Sequence, residues 1–260
     1  MPSKYVISGR SDIGVGCEHQ EDFILYKELD PNNLLVLVVD GSTSVEGHVK
    51  PGIQVATEIS DTIERVYESL KRPGKKSGFL NNPTFFIKEA FLYANRLLGA
   101  FKMGNEEIFA GYAASVTACL FREDGRFFCV HTGNTRMYII RDGQLGQVTT
   151  DQTKGQELLD EGKIDLPTYY TTPYRLQITG GLGYVIDPVI ETVSYPFLPT
   201  DLALLTTDGI HYALQPQYIS QFILDSQDAD EACENLIHAA KNEVQYPDNM
   251  SAILVYYNNQ

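Results

Sequence analysis

Leu34-Leu35-Val36-Leu37-Val38-Val39-Asp40-Gly41, residues 34–41, holds the longest clean apolar run of the chain and ends on a carboxylate. The run is strand-sized, and aliphatic residues at every position require burial. A carboxylate at the mouth of a buried strand is costly unless it is paired or bound to a cation. Upstream, Phe23 to Tyr26 is a second strand, joined through the turn sequence Asp30-Pro31-Asn32-Asn33. The pair reads as a β-hairpin running into Asp40-Gly41. Tyr5 to Ser8 is expected as a short edge strand.

Downstream, the period changes. Ile53, Ala56, Ile59, Ile63, Val66 and Leu70 recur at helical spacing, as do Phe86, Ala90, Ala94, Leu97 and Phe101. Pro51-Gly52 opens the first helix, Pro73-Gly74 ends it, and Pro83 stands near the start of the second. The basic segment Lys71 to Asn82 between them reads as an exposed loop. Strands resume at Ser115 to Phe121, Arg126 to Thr132, Met137 to Arg141 and Gln144 to Val148, with Asp124-Gly125 and Asp142-Gly143 turns, and predict an antiparallel meander. Gln156 to Glu161 is a short helix, and Ile164 to Gly183 a long irregular stretch of the kind that carries function. Val189 to Tyr195 and Ala203 to Thr206 are strands, Pro216 to Leu224 and Ala229 to Asn242 helices, and Ser251 to Tyr257 a last strand. Strands grouped apart from helices indicate an α+β layered fold, and the absence of a linker or repeat predicts one domain over residues 1–260.

Composition narrows the function. The chain has 260 residues, 43% hydrophobic and 21% charged, enough for a core without disulfides. With 20 basic and 34 acidic residues it carries a formal charge of −14, which repels nucleic acid. No apolar stretch approaches the ~18–20 residues that span a bilayer. Met1-Pro2-Ser3-Lys4 has no long apolar segment behind it, so neither a secretory signal nor membrane association is expected. Cys17, Cys119, Cys129 and Cys233 form no C-x-x-C pair, and free thiols predict a cytoplasmic location. Gly180-Gly181-x-Gly183 lacks the strand-turn-helix context of a dinucleotide fingerprint.

Four acidic patterns stand at strand ends: Glu21-Asp22, Asp40-Gly41, Asp208-Gly209 and Asp248-Asn249. If they meet in space, they make an oxygen-rich site for Mg²⁺ or Mn²⁺. Their order resembles that of the metal-dependent protein phosphatases of the 2C type. The resemblance rests on Ser11-Asp12-x-Gly14, Gln20-Glu21-Asp22, Val38-Val39-Asp40-Gly41, Gly111-Tyr112-Ala113-Ala114, Gly133-Asn134-Thr135-Arg136, Leu145 to Thr153, Leu204 to Gly209 and Asp248-Asn249-Met250-Ser251. It covers nearly the whole chain. It implies a four-layer α-β-β-α sandwich, two antiparallel sheets flanked by helix pairs, with a binuclear metal site at one end. It also implies roles. Asp40 bridges two Mn²⁺ or Mg²⁺ ions and the Gly41 carbonyl ligates one. Asp208 and Asp248 hold the first metal, and Glu21 and Asp22 serve the second. Asp40, Asp208 and Asp248 are the catalytic carboxylates. A water activated between the metals attacks phosphoserine or phosphothreonine in a protein substrate, opposing a serine/threonine kinase in signalling.

The chain departs from the pattern in three places. The arginine that clamps the substrate phosphate is replaced by Cys17, whose thiol cannot make a bidentate contact. Arg10, His19 and Lys50 are nearby cations that could substitute, and a neighbouring cation would lower the Cys17 pKa. The aspartate associated with a third metal is Asn134, so that site is expected to be weak or absent. After Asp40-Gly41 the chain reads Ser42-Thr43-Ser44, with His48 the nearest candidate acid. These departures leave an alternative open, a phosphatase-fold module with little or no activity that binds a phosphorylated or kinase partner.

Overall fold

The computed structural model describes residues 4–42, 51–70, 81–103, 111–122, 124–243 and 248–258. Most of the basic loop before Asn82, and Thr43, Ser44, His48 and Lys50, lie outside them. The strands are β1 (Tyr5–Asp12), β2 (Phe23–Asp30), β3 (Asn33–Ser42), β4 (Ala113–Arg122), β5 (Arg126–Thr132), β6 (Arg136–Arg141), β7 (Gln144–Gln147), β8 (Glu191–Pro196), β9 (Leu202–Thr206) and β10 (Met250–Tyr257). The helices are α1 (Pro51–Leu70), α2 (Pro83–Lys102), α3 (Lys154–Asp160), α4 (Leu166–Thr171), α5 (Asp208–His211), α6 (Pro216–Asp225) and α7 (Ala229–Lys241), with a 3₁₀ turn at Pro173–Leu176.

Two antiparallel five-stranded sheets stack face to face, in the orders β1-β10-β9-β6-β7 and β2-β3-β4-β5-β8. The alternation of β3 explains the layering. Leu35, Leu37 and Val39 face α1 and α2, while Leu34, Val36 and Val38 face the other sheet. In β10, Ala252 and Leu254 pack toward α6 and α7, and Ile253 and Val255 enter the space between the sheets. Each central strand is therefore buried on both faces, as its unbroken apolar run requires. Caps set the helix starts. Asn82 accepts the Phe85 N–H ahead of Pro83, and Asp228 accepts from Asp230 and Glu231.

The meander expected over residues 115–148 does not form. β4 and β5 pair, but β5 continues to β8 and β6 pairs with β9. Gly133-Asn134, at φ +96° for the glycine, carries the chain from one sheet to the other. The hairpin at Asp142-Gly143, with φ +52° and +76°, forms as expected. β1 is an edge strand but runs to Asp12, and the irregular stretch 164–183 contains α4 and the 3₁₀ turn. Asp208 begins the short helix α5 instead of ending a strand.

Candidate metal centre

Asp40 ends the buried part of β3 opposite Ser115 of β4, and Asp208 follows β9. Asp248 precedes β10. Because β10 lies beside β9 and the two sheets are stacked, these strand ends converge. Glycines allow the loops to close on them. A Cβ on Gly52 would stand 2.2 Å from the Glu21 carbonyl oxygen and one on Gly41 2.7 Å from it, so only hydrogen fits. Gly14, at φ +77°, packs its α-carbon against the Asp248 carbonyl in the same way.

The acids are individually held. Thr207 Oγ1 donates to Asp22 Oδ2 at 2.6 Å and accepts the Ser251 N–H at 2.9 Å. Asn134, fully buried, accepts from Ser115 Oγ and donates from Nδ2 to Asp208 Oδ2, both at 2.8 Å. Asn249 Oδ1 accepts the Glu21 N–H at 2.6 Å, and its Nδ2 donates to the carbonyls of Ile13 and His19 at 2.8 and 3.0 Å.

Glu21, Asp40, Gly41, Asp208 and Asp248 line one cavity of about 460 Å³, together with Ser42, Leu176, Ile178, Tyr184, Gly209 and Tyr212. Among the described residues, no Lys, Arg or His lines it. Burial first, with Asp248 and Glu21 beyond it, pushes Asp22 up to about 7 against the hydrogen bonds from Thr207 and Ser251. Asp40 is driven well above the carboxylate range by burial and then by Asp208, Asp22, Asp248 and Glu21. Asp208 follows through burial, Asp248 and Asp22, and Asp248 is raised although it keeps access to solvent at the rim. A larger recess of about 570 Å³ opens beside β7 and β8, but it gathers no acid cluster, so chemistry and not size selects the site.

Oxygen donors alone, crowded and short of positive charge, suit hard divalent cations. Among the described residues, no three Asp, Glu, His or Cys side chains already meet as a closed ligand cage. Asp22 and Asp208 are instead engaged by Thr207 and Asn134.

The substrate-side expectations divide. Cys17 does lie near the cluster, but burial and the charges of Asp248, Asp22 and Glu21 raise its pKa, opposite to the activation a cation would give. Arg10 is ion-paired with Asp230 at the start of α7 and is absent from the cavity lining. His19 is exposed and also absent from that lining, and only its carbonyl is tied to Asn249. Thr207, Ser115, Asn249 and Tyr184 were given no role at the site from the sequence. The first three adjoin the acids in the chain or across β3 and β4, the one signal that could have found them.

No family model matches the chain. It is 30% identical over 169 residues to the serine/threonine protein phosphatase PstP of Mycobacterium tuberculosis, covering 61% of this chain and 32% of that protein. It is 25% identical to the serine/threonine phosphatase stp of Listeria welshimeri over 96% of this chain and 94% of that one. The chain is similar to the type 2C family of phosphatases over nearly its whole length. A crystal structure of the catalytic domain of PstP in complex with two manganese ions matches the fold with a TM-score of 0.78, at 23% identity over 97% of each chain. The chain thus spans about a third of the length of the mycobacterial protein and nearly all of the Listeria one. The type 2C sandwich is the one described above, with the acid cluster where its two sheets end.

Proposed function

We propose that the chain is a metal-dependent phosphatase that hydrolyses phosphoserine and phosphothreonine in proteins, working as one catalytic domain over its whole length. The observation that carries this reading is the cluster of Glu21, Asp22, Asp40, Asp208 and Asp248 around a cavity with no cationic side chain among its described lining. Asp40, Asp208, Asp248, Glu21, Asp22 and the Gly41 carbonyl would hold two Mn²⁺ or Mg²⁺ ions. The ions would supply positive charge for the phosphoryl oxygens and an activated water for in-line attack. The chain's own residues set the stage. Thr207 orients Asp22, and Asn134 orients Asp208. Leu176 and Ile178 give the cavity an apolar wall on one side. Relatives named as serine/threonine phosphatases support the substrate class, and the PstP structure with manganese supports the metal. Opposition to a serine/threonine kinase in signalling belongs to the same proposal. So does a cytoplasmic location, supported by four free cysteines. Among the described residues no helix is long and apolar enough to cross a membrane.

The test is hydrolysis of an aryl phosphate and a phosphothreonine peptide with Mn²⁺, with Mg²⁺ and with chelator, beside Asp208→Asn. Metal-dependent turnover is expected, with a loss of at least about 100-fold in metal affinity and activity in the variant. A folded protein that binds metal and turns over neither substrate would favour the binding-module reading. Undiminished activity in Asp208→Asn would remove the site assignment.

A further inference from the structure

Residues 181–186 form no helix or strand, yet Leu182, Gly183, Val185 and Ile186 are each tied by a hydrogen bond to a neighbouring element or side chain. Leu182 exchanges both backbone hydrogen bonds with Ala114 of β4, at 2.8 and 2.9 Å. Asn95 of α2 is buried, accepts the Gly183 N–H at 2.7 Å and donates from Nδ2 to the carbonyls of Val185 and Ile186 at 3.2 and 3.0 Å. Lys102 Nζ donates to the Gly183 carbonyl at 2.5 Å. Gly183 has φ +81°, and a Cβ there would stand 2.7 Å from the Tyr112 carbonyl oxygen. A buried amide, a lysine and an obligatory glycine are thus devoted to the residues on either side of Tyr184.

Tyr184 lines the carboxylate cavity and is 42% exposed, so a ligand in the cavity can reach it. The side-chain hydrogen-bond donors of the described lining are the hydroxyls of Ser42, Tyr184 and Tyr212. Tyr212 already donates to the Arg175 carbonyl at 2.7 Å. Burial, then Asp40 and Asp208, keep the Tyr184 phenol protonated. A phosphoryl group entering this cavity meets a neutral O–H donor on a residue whose backbone neighbours are held in place.

We propose that Tyr184 is a substrate-binding residue, donating its hydroxyl hydrogen bond to a non-reacting phosphoryl oxygen in a cavity whose described lining offers no guanidinium. The proposal rests on the phosphatase reading for its substrate, but it is tested separately by binding inorganic phosphate. Phosphate affinity of the Mn²⁺-loaded protein is measured by calorimetry for the wild type, Tyr184→Phe and Tyr184→Ala, alongside Mn²⁺ affinity and, for the aryl phosphate, KM and kcat. Tyr184→Phe keeps the ring and removes one hydrogen bond to a charged group. It is expected to weaken phosphate binding and raise KM about tenfold, with Mn²⁺ affinity unchanged. Tyr184→Ala should do no worse for free phosphate, because the ring is only wall. Unaltered phosphate affinity in Tyr184→Phe, or no phosphate binding by the Mn²⁺-loaded wild type, overturns the proposal. Weakened phosphate binding in a protein whose wild type has no turnover supports Tyr184 and overturns the phosphatase reading alone.

Discussion

Two buried ionic clusters meet at Tyr212, and they are built on opposite terms. In the first, Arg136 of β6 holds Asp151 bidentately at 2.7 and 2.6 Å and also donates to the hydroxyls of Tyr138 and Tyr169, both at 3.0 Å. Tyr169 donates to the same carboxylate at 3.0 Å. Every charge there has its counter-charge in the chain. In the second, burial and then neighbouring carboxylates raise the pKa of Asp22, Asp40 and Asp208, burial and Glu21 raise that of Asp248, and the neighbouring guanidinium is spent on Asp151. The Arg136 guanidinium lies 5.8 Å from the centre of the Tyr212 ring, and that ring also lines the acid cavity. A fold able to pair one buried carboxylate so thoroughly gives Asp22, Asp40, Asp208 and Asp248, one side chain away, no counter-charge among the described residues of the cavity lining. The first cluster is complete without a ligand, whereas the described lining of the second supplies no cation of its own.

The largest break in that contrast is Arg136→Met. It strands Asp151 in the interior and is expected to cost about 3–5 kcal/mol, a fall of roughly 10 °C in Tm. Thermal melts with and without Mn²⁺ check it, and the shift produced by Mn²⁺ should survive in the variant. Asp208→Asn should act with the opposite sign. Removing one repelling charge leaves the metal-free Tm unchanged or raises it by a few degrees, while the Mn²⁺-induced shift disappears.

A pH series sharpens the comparison further. The four raised carboxylates bind more protons folded than unfolded between their ordinary pKa and the raised values, about 7 for Asp22. Their contribution to metal-free stability is therefore greatest at low pH and falls as pH rises through that window. His131 and His211 are buried and pulled below the usual histidine range, His131 to about 4, so their contribution runs the other way and is lost below about 6.5. The histidine effect is common to the metal-free and loaded protein. The Tm shift on adding Mn²⁺ isolates the acids and should grow by several degrees from pH 5 to pH 8. A constant shift would contradict the electrostatic account of the cluster. The smallest effect belongs to Cys17→Arg, which places a cation beside Asp248, Asp22 and Glu21. It should raise metal-free Tm at pH 8 by about 2–4 °C, roughly 1 kcal/mol on a half-exposed residue. Melting at pH 8 and pH 5 tests this, and the gain should shrink at the lower pH.

Much of this was legible in the chain. The residues of β3, the hairpin turn at 30–33, the helical spacing of α1 and α2 and the order of the four acidic patterns all appear in the structure as read. The failures share one cause. β5 and β6 carry the same alternation whether they pair or part, so nothing local announced that Gly133-Asn134 crosses between sheets. Asp208 follows an apolar strand, and the turn of helix after it is too short to impose a period. Arg10 stands near Cys17 in the sequence, but β1 directs it to Asp230 on α7.

The sequence by itself determined which segments are buried and where carboxylates interrupt them, because apolar periodicity and burial cost are local properties of the chain. Which charges would be neighbours was decided only by the tertiary structure. The stacking of two sheets brings the ends of β3, β9 and β10 together, spends Arg136 on Asp151 and Arg10 on Asp230, and seats Tyr184 against the acids through an amide 89 residues away, at Asn95. Electrostatic energy depends on distance through space, and distance along the chain does not report it.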